Sequence, residues 1–301
     1  MVWNRGWTMG RLSEAYRTVR RRALRPKKGR VRRDTPGPDG MTVAAIDARG
    51  DTRFVIDLRD ALREGRYQPH PPRFVEMVSK GKRRRIGVLN VNDRVVQRSY
   101  LDVLTPLIEP TLAPSVFGIT GRGLRQAHHV VQEAVTSGRY QWAARADISH
   151  AFHHACHDIF FDAIKTRISD TRMLRLISDF LHVGALEPGF GLLQGAPLSP
   201  LFFNLMLDQV DRAFELDEVF YLRYSDDFLI LTESEDAART ASNDLHGRCF
   251  DQGFGLNDKT TTINLRLAPV TFLGASFPTG EVMRLIAETG ADAKPIAGAC
   301  S

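Results

Sequence analysis

The sequence predicts an α+β protein. Helical apolar spacing dominates the first half of the chain, and short apolar runs alternate with helical stretches in the second. Two of those runs, Phe220–Tyr224 and residues 228–231, flank an acidic turn in the manner of a β-hairpin. The 301 residues are 43% hydrophobic and 25% charged, which suits a globular chain with a substantial core. No apolar run reaches the roughly 18 residues that a membrane helix needs, and no apolar stretch follows the basic N-terminus as a secretory signal would require. Cys156, Cys249 and Cys300 lie far apart, giving neither a disulfide framework nor a metal knuckle. The expected compartment is a reducing cytoplasm.

Charge is unevenly placed. Residues 1–33 hold twelve Lys/Arg and one acid, Glu14, whereas the other 268 residues carry a net −5. A basic arm on a mildly acidic body suits a polyanionic partner, most simply nucleic acid, although a solvated basic tail has the same composition. Arg20, Arg21, Arg22, Arg25, Lys27 and Lys28 are the candidate RNA contacts in this arm. Trp3, Trp7 and Tyr16 interleave with its arginines, and could stack on bases or staple the arm to the body.

The elements follow in order. Leu12, Tyr16 and Val19 share a helical face in the arm, and the breaker cluster 35–40 ends that segment. Residues 52–64 have helical spacing and stop at Gly65 and Pro69. Strands at 74–78 and 85–89 flank the basic turn at Gly81, and a helix follows over 93–108. A strand at 142–148 ends in an aspartate. Helices are expected over about 153–168, 171–182, 201–215 and 235–252, and strands at 261–266 and 270–277. His150, His153, His154 and His157 would cluster at the start of one helix, with His153 and His157 on a shared face. No Glu-x-x-His or cysteine partner accompanies them.

Adjacent carboxylates at the tip of an apolar hairpin repel each other unless a cation neutralises them. A second acidic strand end, Asp147, follows the apolar run 143–146. Pairing these strands in one sheet would join Asp147 and Asp226 as oxygen ligands for hard divalent cations, which suits phosphoryl transfer. An exposed Asp-Asp turn is the structural alternative.

Tyr224-Ser225-Asp226-Asp227 resembles the Tyr-x-Asp-Asp box of reverse transcriptases. Asp147-Ile148-Ser149-His150-Ala151-Phe152 is similar to the family's first catalytic motif, and Gln194-Gly195-Ala196-Pro197-Leu198-Ser199-Pro200 to its Gln-Gly-x-Pro-x-Ser-Pro segment. Asn257-Asp258-Lys259-Thr260 and Phe272-Leu273-Gly274 match the two blocks that follow. Upstream, Gly37-Pro38-Asp39-Gly40, Arg84-Arg85-Ile86-Gly87-Val88 and Asp93-Arg94-Val95-Val96-Gln97 resemble the group II intron branch. The resemblance spans about residues 36–277.

That resemblance implies a right-hand polymerase fold with fingers and palm, an antiparallel palm sheet backed by helices, and a thumb that is absent or very reduced. Its divisions would be a basic N-terminal arm at 1–35, fingers over most of 36–140, a palm at 141–277 and a short tail at 278–301. Asp147, Asp226 and Asp227 would be catalytic and hold two Mg²⁺ ions, for which Mn²⁺ can substitute, with the main-chain carbonyl of Ile148 as a further ligand. Asp226 ranks as the firmer ligand of the hairpin pair. Arg84, with Lys82 as companion, would grip the dNTP triphosphate, Gln194 and Gly195 would meet the nucleotide, and Lys259 would neutralise phosphate charge. Phe152 would stand against the sugar and exclude a 2′-hydroxyl, unless it is an ordinary core phenylalanine. Tyr224, Phe272, Leu273 and Gly274 would contact primer and template.

Ser225 stands where alanine is common, Leu193 replaces a frequent proline, and Ile119-Thr120 replace an aromatic and a basic residue. The short C-terminus resembles a compact, stand-alone bacterial reverse transcriptase, a lineage often tied to phage defence with a dedicated non-coding RNA. The implied activity is RNA-directed DNA synthesis, with an RNA template, dNTPs and a DNA product, no membrane, and a homo-oligomer left open. Two alternatives remain. One is a template-independent or protein-primed polymerase, with Tyr16, Tyr67, Tyr100 and Tyr140 as candidate primers; the other is a non-catalytic, maturase-like RNA-binding protein.

Overall fold

The apolar positions Leu12, Ala15, Tyr16 and Val19 recur at helical spacing, and they form the buried face of a helix packed into the body. The computed structural model describes residues 2–24, 34–79, 82–216, 218–257 and 260–289. The chain divides into two units, residues 1–111 with 152–206, and residues 112–151 with 207–301.

The first unit is mostly helical. It contains α1 (Val2–Gly6), α2 (Met9–Leu24), α3 (Val43–Arg49), α4 (Asp51–Arg63) and α5 (Val91–Ile108). An antiparallel hairpin of β1 (Arg73–Ser79) and β2 (Lys82–Val88) lies between α4 and α5. Caps set two helix starts: Thr42 accepts from Ala45 N–H at 3.1 Å ahead of α3, and Gly50, at a φ of 100°, separates α3 from α4. The long α5 buries Val95, Val96, Tyr100, Val103 and Leu104, and packs against α1 and α2.

The second unit is built on a five-stranded sheet in the order β3-β5-β6-β4-β7. Its strands are β3 (Val116–Phe117), β4 (Trp142–Asp147), β5 (Phe220–Tyr224), β6 (Asp227–Thr232) and β7 (Thr261–Asn264). All pairings are antiparallel except β3 with β5, which run parallel. The helix α6 (Leu124–Thr136) buries Ala127, Val131 and Val135 in a core with Ala143, Leu222, Leu229 and Leu231. These sheet residues share one face by the period of two. The remaining helices of the first unit, α7 (His157–Lys165), α8 (Thr171–Gly184) and α9 (Ser199–Met206), precede α10 (Asp208–Phe214) and α11 (Glu235–Asp251) of the second. Within the second unit α11 packs along β4, β6 and β7. A small hairpin of β8 (Val270–Phe272) and β9 (Ala275–Phe277) and the helix α12 (Gly280–Thr289) complete it. No helix among the described residues is long and apolar enough to cross a membrane.

The described part of the basic arm is helical, as its spacing predicts, and is docked on the fold; several other expectations are corrected. Trp3 stacks on Tyr100 with ring centroids 5.8 Å apart, and its backbone carbonyl accepts from the Tyr100 hydroxyl at 3.1 Å. Gly6 lies so close to the same ring that a Cβ there would come within 2.1 Å of it. The contiguous division at residues 140–141 does not match the packing, because the chain enters the second unit at 112, leaves it at 152 and returns at 207. The expected 201–215 helix is two helices separated at Leu207, and residues 280–289 of the expected tail are helical. Only His157 of the four histidines lies in a helix, with Nε2 2.9 Å from Gly191 O, so no histidine pair shares a helical face.

Candidate active site

The hairpin that carries the acids turns in two residues. Tyr224 pairs with Asp227 across the loop Ser225-Asp226, so Asp227 is the first residue of β6. Ser225 takes a φ of 56° and Asp226 does not share that sign, the pattern of a type II′ turn, which usually has glycine at its first position. On the other flank of β6, Asp147 of β4 pairs directly with Asp227. The face-to-face carboxylates are thus Asp147 and Asp227, not Asp147 and Asp226. A two-residue loop, one shorter than the acidic turn read from sequence, decides this.

Asp226 joins them through the backbone. Its carbonyl accepts from the Ile148 N–H at 3.1 Å. Ile148 itself is buried and bridges Leu256. Asp147 is held on a third side, because Asn257 Nδ2 donates to Asp147 Oδ2 at 2.6 Å and Asn257 N–H to Asp147 O at 2.9 Å. All three acids are half-buried. Carboxylates directly opposite on neighbouring strands repel one another, and the donor set is entirely hard oxygen, so its chemistry fits a divalent cation such as Mg²⁺. Among the described residues, no three acidic, histidine or cysteine side chains converge as a ready metal cluster.

Beneath the turn lies a buried network that sequence reading missed. Arg223 and Asp211 are 0% exposed and form a bidentate pair, with Nε on Oδ1 and Nη2 on Oδ2, both at 2.7 Å. The Tyr221 hydroxyl donates to the same Asp211 Oδ1 at 2.7 Å. Burial alone would lower the Arg223 pKa, but the Asp211 carboxylate outweighs it, and the guanidinium stays charged. Its Nη1 donates to Ser225 O at 2.9 Å. Arg223 directly precedes the Tyr-x-Asp-Asp box, but nothing local pairs it with a helical aspartate twelve residues earlier.

Other predicted residues fall in the first unit. On β2, Arg85 lies 4.1 Å over the Phe74 ring and Arg83 reaches Glu76 at 3.9 Å. Arg84 lies between them, exposed, and among the described residues no group engages its side chain. Gln194 O accepts from Gly87 N–H at 2.9 Å, and a Cβ on Gly195 would stand 2.9 Å from Gly87 O. Gly195 therefore permits a close approach to β2. Ser199 Oγ, on Leu193 O at 2.9 Å, fixes the same loop. Phe152 is half-buried and its ring stacks on Phe203 at 5.2 Å.

In the second unit, Tyr224 lies over Gly118, whose Cβ would stand 3.2 Å from the ring. Phe272 is fully buried and belongs to the core beneath α6, so its side chain is not presented to a primer. Leu273 and Gly274, with φ of 50° and 80°, form the two-residue turn beside it, in which Leu273 is half-buried against the core and Gly274 is exposed. Arg20 is ion-paired to Asp47 at 2.7 Å on the surface, and Arg20, Arg21 and Arg22 are all exposed. Lys259, Arg25, Lys27, Lys28 and the side chain of Lys82 lie outside the described residues. Of the candidate protein primers, three hydroxyls are engaged internally: Tyr16 on Asp47 at 2.7 Å, Tyr67 on Asp93 at 2.5 Å and Tyr100 on Trp3 O.

An antiparallel-rich sheet with acids at the ends of two neighbouring strands, backed by helices, is the palm arrangement that the sequence resemblance implies. The chain belongs to the reverse transcriptase (RNA-dependent DNA polymerase) family, whose model matches residues 71–277. It is 33% identical to protein YkfC of Escherichia coli (strain K12) over 193 residues, 59% of this chain and 49% of that one. To the group II intron-encoded protein LtrA of Lactococcus lactis subsp. cremoris it is 29% identical over 161 residues, 50% of this chain and 26% of that one. The chain thus spans half or less of these relatives. Among solved structures, telomerase from Candida albicans shares the fold with a TM-score of 0.55 and 12% identity, over 73% of this chain and 47% of that one.

Proposed function

We propose that this protein is an RNA-directed DNA polymerase that extends a primer 3′-hydroxyl on an RNA template by Mg²⁺-dependent nucleotidyl transfer. The observation that carries the reading is the Asp147–Asp227 pairing across β4 and β6, with Asp226 on the adjoining turn. Asp147, Asp226 and Asp227 would hold two Mg²⁺ ions, with Mn²⁺ as a substitute. The ions supply charge neutralisation and a lowered pKa for the attacking hydroxyl. The bond formed joins the 3′-oxygen to the α-phosphorus, and the bond broken releases pyrophosphate. Asn257 keeps Asp147 in one orientation while charge shifts, and Ile148 N–H fixes the Asp226 carbonyl.

Arg84 supports the reading as a guanidinium available to triphosphate oxygens, which planar paired donors suit. We assign Gln194, Gly195 and Phe152 to the incoming nucleotide, with Phe152 excluding the 2′-hydroxyl, and Tyr224 with the Leu273-Gly274 turn to primer and template. Exposed Arg21 and Arg22 are assigned to RNA. The physiological setting we propose, phage defence with a cognate non-coding RNA in a bacterial cytoplasm, rests on the lineage resemblance alone.

The test is to purify the protein from its host, sequence the nucleic acid that accompanies it, and assay primer extension on an RNA template. The Asp226→Ala, Asp227→Ala double variant is carried in parallel. Defined RNA with complementary DNA for the wild type, and RNA alone for the variant, is the expected result. RNA without DNA in both, and no extension by either, would overturn the polymerase reading in favour of an RNA-binding protein.

A further inference from the structure

We infer that Arg223 is a positioning residue for Asp226: it holds the Ser225-Asp226 turn in its left-handed form by a hydrogen bond to Ser225 O, anchored from below by Asp211. The inference rests on the proposed catalytic role of Asp226 and extends it to residues outside the acid triad.

The argument is one of peptide planes. The orientation of Asp226 is set by the peptide groups before and after it. The preceding carbonyl, Ser225 O, accepts from Arg223 Nη1 at 2.9 Å, and the following one, Asp226 O, accepts from Ile148 N–H at 3.1 Å. Both planes are therefore fixed, one from each side. Restraint matters here because Ser225 holds a φ of 56°, a region that non-glycine residues rarely adopt unless their surroundings enforce it.

Arg223 can enforce it because it cannot itself move. By strand alternation it lies on the sheet face opposite Asp227, and the Asp211 carboxylate takes its Nε and Nη2. Asp211 in turn accepts from the Tyr221 hydroxyl, and the Tyr221 ring stacks on Phe214 at 4.7 Å and 5°. A rigid fork fixed at two donors leaves its third aimed in one direction. Lysine, with one ammonium on a flexible stem, keeps the charge but cannot both chelate Asp211 and reach Ser225 O.

The test is amide hydrogen exchange of the full-length protein, read at the Ile148 amide and the 224–228 segment, for wild type, Arg223→Lys, and Arg223→Lys with Ser225→Gly. Glycine adopts the positive φ unaided, so it should restore the turn without the guanidinium. The expected result is faster exchange at both places in Arg223→Lys, native exchange in the rest of β4, and recovery in the double variant. Mn²⁺ affinity, read by the loss of the free-ion electron paramagnetic resonance signal, should weaken about 10–100-fold in Arg223→Lys, as when the groups that orient a metal ligand are lost. Primer extension should lose kcat with KM for dNTP unchanged.

Unaltered exchange at Ile148 and the turn overturns the inference, as does a loss that glycine does not recover. Should Arg223→Lys fail to fold, the Asp211→Leu, Arg223→Met pair, which removes both buried charges together, takes its place in the exchange measurement. A wild type that extends no primer overturns the polymerase reading alone, because exchange at the turn still decides the role of Arg223.

Discussion

Asn257 grips Asp147 twice, through its side-chain amide on Oδ2 at 2.6 Å and its backbone N–H on the Asp147 carbonyl at 2.9 Å. The side-chain bond leaves one carboxylate oxygen tied and fixes the plane of the other. Asn257→Ala should therefore reduce primer extension about 10–100-fold, the usual cost of losing a group that orients a metal ligand. It should cost only about 1 kcal/mol of stability, because the backbone bond survives. Steady-state kinetics beside a chemical-denaturation curve check both; a large stability loss with unchanged kinetics would make Asn257 purely structural.

The Asp147–Asp227 pairing predicts that activity needs both carboxylates. Asp227→Asn removes one of two like charges facing each other across the ladder. Extension should fall on the order of 10³-fold, because several kcal/mol of charge stabilisation depends on the carboxylate. Steady-state primer extension checks this; an unchanged rate would remove Asp227 from the site.

Gly195 predicts a clash. At a φ of 109°, with Gly87 O 2.9 Å from where a Cβ would sit, Gly195→Ala must displace the Gln194 loop from β2. The expected cost is about 1–3 kcal/mol in stability. If Gln194 contacts the nucleotide, KM for dNTP should rise while Mn²⁺ binding to the acids stays intact. Kinetics and metal titration on one preparation separate the two effects.

Cys249 predicts a pH dependence. Burial foremost pushes its thiol from the ordinary 9.0 up to about 12, with Arg223 pulling down and Asp211 pushing up. The folded chain keeps this proton after the unfolded chain has lost it. Stability from this group is thus whole below pH 9.0 and declines as pH rises from there toward 12. In a Cys156→Ser, Cys300→Ser background, the remaining thiol should resist alkylation at pH 8 until denaturant unfolds the chain. Rapid labelling of the folded protein would contradict its burial.

Much of the site was legible because its signals are local. The apolar runs beside Asp147, Asp226 and Asp227 mark strands by composition, and the Gln194-Gly195 segment is marked by its resemblance to a family motif. Phe272 was misassigned because a motif position does not reveal which way a strand residue faces; in β8 it points into the core. Trp3 had two readings, base contact or attachment to the body, and Arg20 was read as an RNA contact. Asp47, Asp170 and Tyr100, which decide between them, lie 27 to 167 residues away.

The sequence by itself determined which side chains could do chemistry and which segments become helix or strand, since both follow from residue type and from periods of two or 3.6. Tertiary structure decided which acid faces which. A loop of two residues rather than three sets the register that places Asp227 opposite Asp147, and a one-residue slip would turn every side chain of β6 to the other face. It also decided that Arg223 and Asp211 meet, 0% exposed, beneath that loop. Burial and charge pairing depend on elements brought together from distant parts of the chain, and no local period encodes that meeting.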